Sequence, residues 1–161
     1  MVCASSVNYL QPTGFRMLID RRRFANVSFY VQSVDHPGLT TSAAESPFRK
    51  YESLPQLPDS YTYGQLTVNI ILDENMNSYT ELLNWMLANV DGNPIAAGEE
   101  EPSHSDIVLS ILTSKNNINK TVYYRDAFPT DLGSFTMAAN TDGTEVIVFS
   151  VTFRYTKFDI E

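Results

Sequence analysis

Two histidines, one cysteine and a scatter of carboxylates are the groups able to carry out chemistry in this 161-residue chain. His36 follows Asp35, and His104 stands two residues before Asp106. Neither pair approaches the three or four closely spaced ligands that a zinc site needs, so both histidines read as solvated loop residues. Asp73 with Glu74, or a member of the run Glu99, Glu100 and Glu101, could face another carboxylate across a cleft and hydrolyse a glycosidic bond. Neighbouring loop carboxylates more often stay solvated or cap a helix start, the role expected of Asp73 and Glu74. The chain contains no Gly-x-Ser-x-Gly elbow, no His-Glu-x-x-His, no phosphate loop and no dinucleotide-binding glycine pattern. The expectation is a protein that is not an enzyme, with no catalytic, cofactor-binding or metal-ligating residues and no cofactor.

Eleven Lys and Arg against nineteen Asp and Glu give a net charge of −8, which repels phosphate and argues against gripping nucleic acid or anionic lipid. Arg21, Arg22 and Arg23 form the one basic cluster, and in so acidic a chain they are expected to pair with acidic groups of this chain or a neighbour. Cys3 cannot form an internal disulfide, and the opening residues lack the charged and apolar pattern of a secretory signal. No run of eighteen apolar residues suggests a membrane span. With 43% apolar residues, including nine Phe and nine Tyr, the chain can bury a bulky core of one domain.

The elements that would position these groups are mostly strands. Residues 15–20 and 27–34 read as β runs, the second alternating Val27, Phe29 and Val31 against Ser28, Tyr30 and Gln32. Residues 35–63 hold four prolines and read as a long loop recruited to touch something. Residues 66–72 read as a strand, and Ser78 with Glu81 has the form of a capping box opening a helix. Tyr79, Leu82, Leu83, Met86 and Val90 are its expected inner face. Strands are expected over 107–113, 121–124, 134–138 and 145–155, with Phe128-Pro129-Thr130 as a break. In the last strand, Ile147, Phe149, Val151, Phe153 and Tyr155 share one face, and the opposite face is mixed in character. The expected fold is mainly β, a β-rich α+β antiparallel barrel or sandwich with one flanking helix and long loops.

In order along the chain, several pieces resemble the tail tube proteins of contractile-tailed bacteriophages, and more loosely the tube proteins of related contractile injection machines. They are Ser33-Val34-Asp35-His36-Pro37-Gly38, the strand from Tyr63 to Glu74, the helix from Tyr79 to Met86 with Trp85, Ser105 to Leu109, Tyr124 to Thr130, and Val148 to Tyr155. The resemblance implies one tube-like domain over residues 1–161, with its core at 14–156 and residues 1–13 as an extended arm. It implies hexameric rings stacked head to tail, with sheath, baseplate and tail-terminator proteins as partners and genomic DNA passing through without specific binding. Location in the virion tail after assembly in the host cytoplasm, with no membrane contact, follows from it. Pro37, Phe48, Arg49 and Tyr51 in the long loop, with Arg21, Arg22 and Arg23, are the expected inter-subunit contacts. A tube-initiating baseplate protein shares the same fold. An alternative of another class is a small-ligand or carbohydrate-binding β-sandwich presenting Tyr61, Tyr63, Tyr123 and Tyr124 as stacking platforms.

Overall fold

A computed structural model describes residues 9–20, 24–49, 52–91, 104–139 and 145–161. In chain order the elements are β1 (Phe15–Leu18), α1 (Ala25–Phe29), β2 (Val31–Asp35), β3 (Leu39–Arg49), β4 (Glu52–Tyr63), β5 (Leu66–Ile71), α2 (Asn77–Asp91), β6 (Ser105–Leu112), β7 (Ile118–Leu132), β8 (Val148–Arg154) and β9 (Lys157–Ile160). The fold is β-rich and antiparallel, as the sequence pattern implies.

The long strand β7 organises it. Its first half pairs with β6 on one side and β9 on the other, and its second half pairs with β8. One layer therefore runs β1-β6-β7-β9 and the other β7-β8-β5-β2, so that β7 belongs to both. The crossing is made at Asp126, whose φ of 53° bends the strand and whose N–H is held by Asp106 Oδ1 at 3.1 Å. The break expected at Phe128-Pro129-Thr130 is absent because Pro129 sits where β7 has a partner on one side only, opposite Phe153, with a bulge following. The sheet stays open, a sandwich and not a closed barrel, with β1 and β2 as its outer strands.

Between the layers lie Leu66, Val68 and Ile70 of β5, Ile107 and Leu109 of β6, Val122 and Tyr124 of β7, and Phe149, Val151 and Phe153 of β8. Strict alternation of branched and aromatic residues puts these side chains on one face, as expected for β5 and β8. Gly133 is required where the chain leaves β7: its N–H donates to Ser150 O at 2.7 Å, and a Cβ there would crowd the same oxygen at 2.9 Å. Residues 134–138, expected as a strand, run beyond it without regular structure.

Other departures have local causes. Residues 25–29 are helical, because Val27 is needed in the core and the Glu81 carboxylate takes the Asn26 amide at 2.5 Å and the Val27 N–H at 3.4 Å. That bond also dissolves the expected capping box. Asp73 opens α2 instead, accepting from Asn77 N and Ser78 N at 3.1 Å and from Ser78 Oγ at 3.0 Å. Met76, at φ 55°, makes the turn that brings this carboxylate over the helix start. The inner face of α2 is Ser78, Leu82 and Trp85, turned from the expected one because Trp85 stacks on Phe24 at 4.4 Å and leans toward Phe153.

Two measurements check this description. Phe149→Ala or Phe153→Ala is expected to cost about 3–5 kcal/mol in denaturant unfolding, whereas an unchanged midpoint contradicts the facing of β8. Burial raises the Asp73 carboxyl pKa, but bonds from Ser78 and Asn77 outweigh it and hold the pKa below its ordinary 3.8. Its stabilising effect is therefore present above that value and lost as pH falls through the lower folded value. Asp73→Ala should cost about 1 kcal/mol at pH 7, and the difference from the natural chain should vanish in acid.

Candidate assembly surface

The segment expected as a loop over 35–63 is a β-hairpin of two strands, eleven and twelve residues long, forming a sheet of their own. Prolines concealed it. In a two-stranded ribbon both strands are edges, so Pro55 can stand opposite Glu45 and Pro47 opposite Ser53. Two such strands are marginal in water without a third layer against them. Residues 39–43 and 57–62 are all solvent-exposed, Leu57 at 92% and Tyr61 at 63%. Between the pairs Ser42↔Ser60 and Ala44↔Gln56, the single residue Ala43 opposes Leu57, Pro58 and Asp59, a bulge that sets an apolar side chain on the outside of the ribbon.

The hairpin is anchored at its root. Gly64 N donates to Gly38 O at 2.9 Å, and Pro37 is buried against Gly64, where an added Cβ would lie 3.3 Å from the proline ring. Pro37 is thus part of the anchor and is not open for contact in the single chain. Phe48 and Arg49 lie near the far end of β3, where Arg49 pairs in register with Glu52. Tyr51, Arg21, Arg22 and Arg23 fall outside the described residues, as do Glu99, Glu100 and Glu101.

Two further surfaces are open to contact. On α2, Leu83, Leu87 and Val90 follow one another at helical spacing on the solvent side, Val90 at 82% exposure. Among the described residues, β1, β2 and β9 each have a strand partner on one side only, which leaves backbone donors and acceptors open along three edges.

The groups considered for chemistry are otherwise engaged. Asp106 accepts from Arg125 at 2.8 Å and from Asp126, and that hydrogen bond holds the Arg125 pKa above its ordinary value, outweighing partial desolvation. His104 meets Phe128 edge-on at 5.4 Å, and no group of three metal-binding side chains occurs among the described residues. Asp73 serves the start of α2. Tyr124 is fully buried, and its neighbour Tyr123 lies on the other face under Arg125 at 5.2 Å. The four tyrosines therefore do not make one exposed stacking platform. No helix among the described residues is long and apolar enough to cross a membrane.

No family model matches the chain, and no curated protein matches it significantly. Solved structures do. A chain of the sheath-tube complex of the PVC extracellular contractile injection system, in its extended state, matches with TM-score 0.68 at 16% identity, over 96% of this chain and 93% of that one. A chain of the tube-terminating cap of the anti-feeding prophage matches with TM-score 0.70 at 18% identity, over 98% and 95%. The chain has the fold of contractile-injection tube proteins. Hcp1 from Flavobacterium johnsoniae is more distant, with TM-score 0.55 at 13% identity over 91% and 94%.

The assignment of α2's faces is checked by paired substitutions. Leu83→Ser and Leu87→Ser are each expected to change stability by less than about 0.5 kcal/mol, while Leu82→Ala costs about 2–5 kcal/mol. Equal losses at all three positions would mean that α2 is turned.

Proposed function

We propose that the chain is a structural subunit of an injection tube of the contractile type, not an enzyme. The observation that carries this is the match to a chain of a sheath-tube complex over 96% of this chain. The open strand edges and the projecting hairpin support it. In this reading residues 1–161 are one tube-like domain, with residues 1–13 as an arm and the core at 14–156. Six copies close a ring by pairing their free edges. Rings stack head to tail, a heterologous contact that extends without closing.

The β3–β4 hairpin reaches from one ring to the next and finds there the third layer it lacks, with Leu57, Tyr61 and the strand ends at Phe48 and Arg49 in the contact. Tyr51, Arg21, Arg22 and Arg23 are taken to contribute to the same contact. The outward stripe of Leu83, Leu87 and Val90 suits an enclosing sheath. Baseplate and terminator proteins meet the two ends of the tube. In a phage tail, genomic DNA would slide along a wall whose net charge of −8 per subunit keeps phosphate unbound. Such a particle is assembled in the host cytoplasm and works as part of the virion.

A tube-initiating role at the baseplate is the second reading, favoured by a match of TM-score 0.62 to a chain of the anti-feeding prophage baseplate at 12% identity. The two are separated by electron microscopy of the purified chain: long tubes mean the main subunit, single rings or short caps the initiator. Globular monomers at every salt and protein concentration would refute both. Replacing residues 42–60 by a short turn is expected to leave the sandwich folded and to abolish stacking. Tubes of unchanged length from that variant would remove the hairpin from the ring-to-ring contact.

A further inference from the structure

Both roots of the hairpin converge on one aromatic cluster. His36 lies in the link between β2 and β3, and Tyr63 ends β4. His36 meets Phe158 of β9 edge-on at 5.1 Å, and Tyr63 meets the same ring at 5.2 Å while also reaching Tyr155 at 5.8 Å. Tyr61 leans on Tyr63 at 5.4 Å. The C-terminal strand thus clasps the hairpin where it leaves the body, and β9 is itself fastened by reciprocal 2.9 Å bonds between Thr121 and Glu161.

One polar contact runs through this cluster. His36 Nδ1 lies 2.6 Å from the hydroxyl of Tyr124, a fully buried residue. With Nδ1 unprotonated, the phenol donates to it. The Tyr155 hydroxyl is also buried, has no hydrogen-bond partner among the described residues, and sits on a ring 5.1 Å from that of Tyr124.

The groups in contact with His36 are the ring and phenol of Tyr124 and the ring of Phe158, neither charged near neutral pH, and Tyr63 and Tyr155 lie beyond them in the same cluster. Two charged residues of β9 act on the edge of the cluster: besides desolvation, which raises the pKa of the Tyr63 hydroxyl, Asp159 raises it and Lys157 lowers it. Lys157 and Asp159 alternate with Phe158 onto the other face of β9 and pair with each other at 3.3 Å, and Arg125 alternates with Tyr124 and binds Asp106. Asp35, the residue before His36, is exposed on β2, and Asp59 is exposed on β4.

We propose that His36 is an acid-sensitive latch holding the root of the β3–β4 hairpin to the body of the protein. Neutral, it accepts the Tyr124 proton and packs against Phe158. When a proton from solvent binds Nδ1, the contact reverses: Nδ1–H donates to the phenol oxygen, and the buried phenol loses the acceptor of its own proton. The ring then carries a positive charge against the rings of Tyr124 and Phe158, and among the described residues no carboxylate forms an ion pair with it. Partial desolvation against these rings holds the imidazole pKa below its ordinary 6.5, although His36 keeps one side open to solvent. A lowered histidine pKa stabilises the closed root at pH above 6.5, and that stabilisation is lost as pH falls through the folded value. The latch belongs to the single chain and does not depend on the assembly proposed above.

The test is amide hydrogen exchange on the unassembled full chain at pH 7.5 and 5.5, corrected for the intrinsic pH dependence of exchange. Protection at 39–42 and 60–63 is expected to fall with pH by up to about tenfold per unit, while β5 and β8 keep theirs. His36→Gln, which retains an acceptor for Tyr124, should flatten this dependence, and His104→Gln should leave it intact. Retention of the full dependence in His36→Gln, or equal losses in β5 and β8, overturns the proposal. A titration of the His36 ring protons by NMR is independent of how well the Gln variant folds. A midpoint below 6.5 that rises in Tyr124→Phe supports the latch, and a midpoint at or above 6.5 in the natural chain overturns it.

Discussion

Backbone groups left open at strand edges are the constraint from which the rest follows. The sandwich satisfies its own interior: Leu66, Val68, Ile107, Tyr124, Phe149 and Phe153 are buried by this chain alone. Its margins are another matter. Among the described residues, β1, β2 and β9 each present an unpaired side, and β3 and β4 pair only with each other. Proteins that work as monomers usually cover or blunt such edges. Here, together with an exposed apolar knob at Leu57 and an apolar stripe on α2, the open edges give a surface that resembles half of several interfaces.

The part of the fold legible in the sequence was the part governed by alternation. In β5 and β8 every second residue is branched or aromatic, and those residues form the core. Elements whose conformation is set from a distance were not legible. α1 carries an alternating pattern yet is helical, because Glu81, more than fifty residues away, holds its first turn. The hairpin was hidden by prolines that would end an interior strand but are tolerated in a ribbon with two free edges. β7 crosses two layers through a bend that depends on Asp106, and no local signal announces it.

The candidate surface was legible in outline. The proline-rich segment read as a long loop is instead a hairpin, and its root at Pro37 is buried. The stripe of Leu83, Leu87 and Val90 was assigned partly to the core, since helical spacing alone does not say which face of an apolar helix turns inward. Trp85 settled that by stacking on Phe24. The cluster of His36, Tyr124, Tyr155 and Phe158 joins β2, β7 and the C-terminal strand, and only the folded chain brings these residues together.

The central claim is that the free edges of one chain are completed by another. A cryo-electron microscopy reconstruction of the particles formed by the purified chain tests it most directly. The account predicts a hollow ring in which at least one of β1, β2 and β9 gains a hydrogen-bonded strand from a neighbouring subunit. A particle in which all three edges still face water, with subunits joined only through side chains, would contradict it.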